Sequence, residues 1–380
     1  MLLKGFEVEV YTGTPLGKIV GLSHFISQDL AGFVKEPDSR NVEYVTAPTR
    51  HYAQALCDLV TPRMRLRHYL RGLGDYSIIP GSTLSLGDSR QFYRSDPTHP
   101  YHSYIESTYG TRVVTASVHI NIGIEDPEIL MRACRLVRME APLLLALSAS
   151  SPFLDGGATG YHSTRWASFP KTPEQVPLFE SHQHFIDWTN AQLASGSMQN
   201  VRHLWSSVRP NGNQRPYDLN RLELRICDLV ASPIHLLAIT ALLEARIQMI
   251  LDNPDLDPLL ANGLGYDGFQ LASLADQNEA QVARHSLEAE LIHWQSGQPI
   301  LARDWIQDLY DQVWPLAKTK GYSCFLSPIL EILREGNQAQ QWLRLHQEGY
   351  APQSILIQAI ATMVQQELEV RDKLCEPVAL

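Results

Sequence analysis

Residues 5–11 read GFEVEVY and set two glutamates inside an apolar strand pattern. The apolar residues alternate with Glu7 and Glu9, which is the period of a β-strand with one buried face. The two carboxylates therefore leave the same face of the strand, roughly 7 Å apart, where they repel each other unless positive charge lies between them. The stretch predicts a sheet that is apolar on one face and acidic on the other.

The composition is that of an ordinary globular protein of 380 residues, of which 44% are hydrophobic and 19% are charged. The formal net charge of −10 argues against nucleic acid as a partner, although it allows a nucleotide that arrives with metal ions. No apolar run reaches the roughly 20 residues that span a bilayer, and the first strand begins too early for a leader peptide. The five cysteines are isolated, which predicts a reducing compartment, no structural disulfide and no thiolate zinc site. We therefore expect a cytoplasmic protein without a membrane partner.

Hydrophobic periodicity predicts strands and helices in the first half of the chain and mainly helices in the second. Predicted strands cover 5–11, a hairpin at 33–46 with its turn at 37–41, 77–83, 111–124, and a pair at 200–209 and 221–229. Predicted helices cover 50–73, 126–148, 232–252, 278–296, 303–318, 327–347 and 352–373. Residues 88–111 and 148–165 are too polar or too rich in glycine and serine for regular structure.

This pattern is typical of an α+β protein with an antiparallel sheet and helices behind it. The sequence contains no repeat, no low-complexity tract and no flexible linker. We therefore expect a single domain over residues 1–380, in which residues 253–380 form a mostly helical part. The oligomeric state is left open.

Three of the predicted strands carry unusual polar faces. A sheet face that meets water normally shows Thr, Lys, Gln and Ser, whereas these faces are acidic with a few other functional side chains. The residues are Glu7 and Glu9, then His119 and Asn121, then Glu223 and Arg225. The hairpin at 33–46 adds Glu36 and Glu43, and its turn resets the strand parity so that both can point the same way. If these strands are neighbours, five carboxylates and one imidazole line a single basin.

Such a basin requires positive charge, because grouped carboxylates destabilise a fold unless cations neutralise them or some are protonated. Oxygen ligands without thiolates suit Mg²⁺, and one imidazole is compatible with Mn²⁺. The joint pattern therefore predicts a basin that holds divalent metal. Each part also has a plainer interpretation: a solvated strand face for Glu7 and Glu9, a buried structural histidine for His119, and a surface ion pair for Glu223 with Arg225.

The acidic face is not accompanied by a phosphate-binding loop. GTPLGKI at residues 13–19 has too few residues between its glycines for a Walker loop and lacks the final Ser or Thr. A nucleotide would therefore be held by metals and arginines. Arg165 and Arg225 are the leading candidates, because the guanidinium fork matches phosphate and carboxylate oxygens. The alternative for Arg165 is a loop arginine exposed to solvent.

Five segments, in this order, resemble the glutamate–cysteine ligase and carboxylate–amine ligase family, and above all its cyanobacterial branch. They are GFEVEVYTG (5–13), EPDSRNVEYVTAP (36–48), SVHINIGI (117–124), SSPFLDGGATGYHSTR (150–165) and LELRICD (222–228). The resemblance implies a glutamine-synthetase-like fold, in which a curved antiparallel sheet forms the floor of the catalytic site. It also implies that ATP phosphorylates the γ-carboxylate of L-glutamate and that the amine of L-cysteine attacks the acyl phosphate. The product would be γ-glutamylcysteine, in the first step of glutathione synthesis.

The same resemblance implies roles for the polar residues. Mg²⁺, with Mn²⁺ as the alternative, would be held by Glu7, Glu9, Glu36, Glu43, His119 and Glu223. Asn121, Arg165 and Arg225 would contact the nucleotide phosphates or the glutamyl phosphate, and the two arginines would be catalytic. Related ligases often have aspartate at the position of Glu36, which makes Asp38 a rival ligand. Two alternatives stay open: a ligase that joins glutamate to another amine, and a nucleotide- or metal-binding protein without turnover.

Overall fold

The computed structural model describes residues 1–375 and shows one large antiparallel sheet. The strands are β1 (Lys4–Gly13), β2 (Phe33–Lys35), β3 (Asn41–Val45), β4 (Ser77–Ile79), β5 (Val118–Gly123), β6 (Phe153–Leu154), β7 (Gly157–Ala158), β8 (Val208–Asn211), β9 (Arg221–Leu224), β10 (Glu290–Ile292) and β11 (Pro299–Leu301). Seven of them form the sheet in the order β2–β3–β1–β5–β9–β8, with β4 paired to the end of β1. The pairs β6–β7 and β10–β11 are separate two-stranded sheets. The predicted antiparallel sheet is confirmed.

The helices lie mainly behind the sheet and in the second half of the chain. They are α1 (Ser23–Asp29), α2 (Tyr52–Leu73), α3 (Pro100–Tyr109), α4 (Pro127–Ser148), α5 (Thr164–Ser168), α6 (His182–Ser195), α7 (Pro233–Asp252), α8 (Pro258–Ala261), α9 (Gly268–His285), α10 (Ala302–Thr319), α11 (Ser323–Leu326), α12 (Pro328–Glu335), α13 (Gln338–Gln347) and α14 (Pro352–Leu374). Helices α4 and α7 begin where predicted. Asp126 and Ser232 accept hydrogen bonds from first-turn N–H groups, and proline occupies the first helical position of each.

The sheet has one apolar and one polar face, as its alternating strands predict. The fully buried apolar side chains are Val8, Val10, Val118, Ile120, Ile122, Leu222 and Leu224. Each contributes on the order of 1.5–3 kcal/mol by leaving water. Helices α2 and α4 pack against this face, and α7 packs on both of them. These helices thus cover the apolar face of the sheet, and the predicted functional residues lie on the opposite, polar face.

Helix α7 is the most apolar long helix of the protein. Within residues 1–375 it is the one helix whose length and composition would allow it to cross a membrane. However, 78% of its most apolar 18-residue stretch is buried inside the protein. Its burial follows from its contacts with four other helices, α2, α4, α10 and α11. The helix therefore serves as the centre of the hydrophobic core.

Residues 88–111, predicted as a polar loop, contain α3. Pro100 occupies its first turn, and the ring of His99 accepts a hydrogen bond from a first-turn N–H group. Ile105 and Tyr109 are its only buried residues. The prediction was wrong because such a short apolar face is hidden among polar and aromatic side chains.

Two other predicted elements have different bounds from those expected, and the first of them, α9, already begins at Gly268. The helix predicted over 278–296 ends at His285, because Ser286 adopts a φ of 43° that a right-handed helix cannot continue. The hairpin of β10 and β11 follows it. The strand predicted over 200–209 begins only at Val208.

The expectation of unpaired cysteines was wrong. Cys57 in α2 and Cys375 after α14 form a disulfide, with Cα atoms 5.6 Å apart and a sequence separation of 318. The same two helices share a buried ion pair, in which Arg67 donates hydrogen bonds of 2.9 and 3.3 Å to the carboxylate of Glu367. Cysteine spacing could not predict this pairing, because it depends on α14 returning to the side of α2.

We expect the variant Cys57→Ser to lower the free energy of unfolding by roughly 2–5 kcal/mol, because the crosslink restricts the unfolded chain. Chemical denaturation with and without reductant measures the loss. Cys324→Ser removes an exposed unpaired thiol and is the matched control. Equal unfolding free energies for wild type and Cys57→Ser under oxidising conditions would contradict the prediction.

Candidate active site

Strand pairing alone brings the predicted polar residues together on one face. Residues directly opposite each other in antiparallel strands share a face, with Cβ atoms about 5 Å apart. The opposed pairs are Glu9–Glu43, Glu7–His119, Asn121–Glu223 and Glu223–Arg209. The polar face therefore runs without interruption from β3 across β1 and β5 to β9 and β8.

The first group of carboxylates lies at the β2–β3 hairpin. Glu9, Glu36 and Glu43 each offer an oxygen within 4.8 Å of the others, and all three are partly exposed. Asp38, the rival of Glu36, lies elsewhere: its carboxylate is buried and accepts two 2.8 Å hydrogen bonds from the guanidinium of Arg40. We call Glu9, Glu36 and Glu43 the hairpin triad.

The second group lies between β1, β5 and β9. Glu7, His119 and Glu223 also offer ligand atoms within 4.8 Å of one another, and we call them the central triad. The Nδ1 atom of His119 is 3.1 Å from Glu7 Oε2 and 3.5 Å from Glu223 Oε1. Asn121 donates a 3.2 Å hydrogen bond to Glu7. Glu223 is fully buried, so its interpretation as half of a surface ion pair was wrong.

Ser117, which the sequence did not single out, connects the two triads. Its hydroxyl donates a 2.7 Å hydrogen bond to Glu9 and lies 3.3 Å from Nε2 of His119. Ser117 directly precedes β5 and lies on the same side of the chain as His119. Strand parity could have identified it.

The hairpin triad carries uncompensated negative charge. Burial, followed by the neighbouring Glu9 carboxylate, raises the pKa of Glu36 well above its ordinary value. Burial and Glu9 also raise the pKa of Glu43 to about 7. Because no cation of the described protein forms an ion pair with these three carboxylates, they share protons or require an external cation.

The central triad is already compensated by the protein. Burial opposes ionisation of Glu7, but the hydrogen bond with His119 holds its pKa below the ordinary value. Burial likewise opposes ionisation of Glu223, yet Arg209 and Arg225 hold its pKa well below the ordinary range. The two triads therefore differ in charge although they differ little in composition.

Arg209 is a site residue that the sequence reasoning missed. Its Nε and Nη2 atoms donate hydrogen bonds of 2.7 and 3.1 Å to Glu223, and Asn211 adds another of 2.6 Å. Arg225 donates a 2.6 Å hydrogen bond to the same carboxylate. Burial, with Arg225 nearby, lowers the pKa of Arg209 to about 9. The register of β8 against β9 would have revealed Arg209, but the predicted strand stopped at that residue.

Arg165 is buried rather than exposed in a loop. Its Nη1 and Nη2 atoms each donate a 3.0 Å hydrogen bond to backbone carbonyls, those of Ile226 and Arg225. Nη1 lies 3.8 Å from Asp228, and Nε has no partner among the described residues. Arg165 therefore fixes the backbone that carries Arg225. Its contact with phosphate stays a prediction.

The donor set of the two triads fits hard divalent cations. Five carboxylates and one imidazole without thiolates are ligands suited to Mg²⁺ or Mn²⁺. The hairpin triad provides the stronger argument, since its repelling carboxylates gain most from a cation. The polar face therefore places ligands suited to divalent metal beside the guanidinium groups of Arg209 and Arg225.

We expect Mn²⁺ to raise the melting temperature more at about pH 8 than at about pH 5.5. Raised pKa values make Glu36 and Glu43 stabilise the metal-free fold at low pH, and this stability is lost as the pH rises through each raised pKa, which for Glu43 is about 7. Glu7 and Glu223 have lowered pKa values, so they stabilise the fold when ionised. That stability is lost only as the pH falls below the ordinary pKa of a glutamate, which is outside the range between these two pH values. Thermal unfolding in EDTA and in excess Mn²⁺ tests this, and equal metal-induced shifts at both pH values would contradict it.

Comparison with known proteins identifies the family. Residues 3–359 match the sequence model of "Glutamate-cysteine ligase family 2". Two relatives carry the name "Putative glutamate--cysteine ligase 2". One, of Gloeobacter violaceus, is 27% identical over 84% of this chain and 83% of its own length. The other, of Sorangium cellulosum, is 29% identical over 60% of this chain, and the match spans only 58% of that relative.

A solved structure shares the fold. The glutamate–cysteine ligase of Francisella tularensis, crystallised in complex with AMP, superposes with a TM-score of 0.72 over 99% of this chain and 95% of its own, at 14% identity. The predicted α+β fold, with helices packed behind an antiparallel sheet, is thereby confirmed. With a family match over nearly its whole length, the chain belongs to glutamate–cysteine ligase family 2, a family of ligase enzymes.

Proposed function

We propose that the protein joins the γ-carboxylate of L-glutamate to the amino group of L-cysteine at the expense of ATP. The reaction would pass through γ-glutamyl phosphate and release γ-glutamylcysteine, ADP and phosphate, as the first step of glutathione synthesis. The observation that carries the proposal is the polar sheet face, on which two potential metal triads and Arg225 meet in a chain of this family. The proposal includes no nucleic-acid or membrane partner. It keeps the cytoplasmic location expected above, although the Cys57–Cys375 disulfide removes the argument from unpaired cysteines.

The carboxylates would hold divalent cations. Glu9, Glu36 and Glu43 would form the ligands on the hairpin side, and Glu7, His119 and Glu223 those of the central triad. When bound, Mg²⁺ or Mn²⁺ would neutralise the charge shared by protein carboxylates and phosphate oxygens. Ser117 and Asn121 would orient the carboxylates to which they donate.

The arginines would act on the transferred phosphoryl group. A carboxylate is a poor electrophile, so its oxygen must first become part of a phosphate leaving group. Phosphoryl transfer requires positioning and charge stabilisation more than covalent work by the protein. Arg225 would supply charge at the transferred group, Asn121 would contact the nucleotide phosphates, and Arg165 would act beside Arg225, whose carbonyl it binds.

The proposal treats residues 1–380 as one catalytic domain with a mostly helical part at 253–380. Two contacts support it. One hydrophobic core extends from Phe6 to Val370. In addition, Arg138 of α4 forms a buried ion pair with Glu279 and a partly exposed one with Asp276, both of α9, which joins the second half of the chain to the helices behind the sheet.

ADP release by purified protein with ATP and Mg²⁺ tests the proposal, with glutamate and cysteine added separately and together. We expect turnover that requires both amino acids, with γ-glutamylcysteine detected by mass spectrometry. Turnover with glutamate and another amine, but not with cysteine, would replace the acceptor. Binding of ATP without turnover for any amine would overturn the ligase assignment and leave a binding protein.

A further inference from the structure

The β8–β9 hairpin carries more positive charge than its carboxylates balance. Between residues 208 and 225 it contains four arginines, Arg209, Arg215, Arg221 and Arg225, against one buried carboxylate and one exposed aspartate. Arg209 and Arg225 are already paired, since both donate hydrogen bonds to the carboxylate of Glu223. Arg215 and Arg221 form no ion pair within residues 1–375.

Arg221 lies on the same face of the sheet as the central triad. It is opposite Asn211 in the β8–β9 pair, two residues from the pair of Arg209 and Glu223. Alternate residues of a strand leave the same face, so its side chain starts roughly 7 Å from that of Glu223. Within the part of the chain that the structure describes, its guanidinium donates one hydrogen bond, of 2.9 Å to the adjacent Asn220, and its other donors have no protein acceptor.

Arg215 lies in the connection between the two strands. Its Nη1 atom is buried and has no hydrogen-bond partner among the described residues. Glu223 is the carboxylate that most strongly opposes the positive charge around it, whereas Arg225, Arg202 and Arg221 all repel it. Burial and these arginines together lower the pKa of Arg215.

Glu223 does not satisfy Arg215, because its two oxygens already accept hydrogen bonds from Arg209, Asn211 and Arg225. A buried donor on a cation without an acceptor is costly, and repulsion among neighbouring arginines adds to that cost. An anion that enters beside Arg215 would provide the missing acceptor and reduce the repulsion. The geometry therefore leaves a cationic position at the β8 end of the polar face.

We propose that Arg215 and Arg221 form an anion subsite that binds a phosphate or carboxylate group of a substrate. The inference rests on the proposed function, which supplies two such sources: the phosphates of the nucleotide and the carboxylates of the amino acids. Both offer paired oxygens that match the guanidinium fork. The hairpin triad holds cations at one end of the polar face, and this subsite holds an anion at the other.

Titration calorimetry of Arg215→Ala tests the subsite without turnover. Mg·ADP and L-glutamate are titrated separately, and the KM for cysteine is measured where turnover occurs. We expect the affinity for at least one ligand to fall about tenfold or more, as for loss of one charge-assisted contact. Arg215→Lys should recover part of the loss, because it keeps the charge and loses the fork. Arg202→Ala removes an exposed charge nearby and should change each affinity less than about twofold.

The ligand that weakens identifies the source of the anion. A change for Mg·ADP assigns a phosphate, and a change for glutamate or cysteine assigns a carboxylate. Unchanged constants for all three, or equal losses in Arg202→Ala, would overturn the subsite. Arg221→Ala repeats the test should Arg215→Ala fail to fold. Because binding is measured directly, weakened binding in a protein that makes no γ-glutamylcysteine would overturn the proposed function and support the subsite.

Discussion

Replacing Glu43 by glutamine should abolish turnover and, at about pH 8, make the metal-free protein more stable. The substitution removes one of three carboxylates that lie within 4.8 Å of each other in the hairpin triad. Loss of a residue that only hydrogen-bonds to a metal ligand lowers metal affinity roughly 10–100-fold. Because Glu43 would be a ligand itself, we expect the affinity for Mn²⁺ to fall by more than that. Loss of activity and gain of stability then have the same cause.

The gain of stability depends on pH. Burial and Glu9 raise the pKa of Glu43 to about 7, so its charge destabilises the metal-free fold as the pH rises through that value. Glutamine is neutral at every pH, and the gain at about pH 8 should be on the order of 2 kcal/mol. Below about pH 4, under the ordinary pKa of a glutamate, the wild-type residue is protonated in both the folded and the unfolded chain, and the gain should nearly vanish.

Thermal unfolding in EDTA and steady-state assays with Mg²⁺ measure the two effects. Glu290→Gln, which changes an exposed carboxylate of a strand far along the chain, is the matched control and should alter neither. A Glu43→Gln protein that keeps wild-type activity, or that is less stable than wild type at about pH 8, would show that the hairpin triad does not bind metal.

The sequence predicted the polar face because the alternation of apolar and polar residues within a single strand indicates which of its sides is buried. Alternation of Val8 with Glu7 and Glu9 is local information, and the same holds for the strand of His119. We then placed the four acidic segments in one basin, because grouped carboxylates need a shared cation to be stable. Helix starts at Asp126 and Ser232 were equally local, since cap and proline are adjacent in sequence.

The features that the sequence did not predict depend on contacts between segments that are far apart in the chain. Arg209 acquires its partner Glu223 through the register of two strands, and the predicted strand ended before that register was defined. The choice between Glu36 and Asp38 depended on Arg40, which draws Asp38 away from the triad. The Cys57–Cys375 disulfide requires the last helix to pack on α2, which no cysteine spacing shows.

Replacing Arg225 by alanine should reduce kcat by roughly 10²–10³-fold, the loss that follows removal of one preorganised donor to developing charge. Arg225 is placed for this role by three contacts: it donates to Glu223 at 2.6 Å, lies 3.5 Å from His119, and has its carbonyl bound by Arg165. The fold should persist, because Arg209 and Asn211 still satisfy the buried Glu223 carboxylate. A side chain aimed at the transferred phosphoryl group should affect kcat more than the KM for ATP.

The lysine variant separates charge from geometry at this position. Arg225→Lys keeps the positive charge beside Glu223 but cannot reach two acceptors with a planar fork, so we expect it to recover only part of the lost kcat. Arg284→Ala, at an exposed position near the end of α9, controls for the change in net charge. Should Arg225→Ala raise the KM for ATP tenfold with kcat unchanged, Arg225 would bind the nucleotide equally in ground and transition states. The charge that stabilises phosphoryl transfer would then have to come from the metal ions and the other arginines of the β8–β9 hairpin.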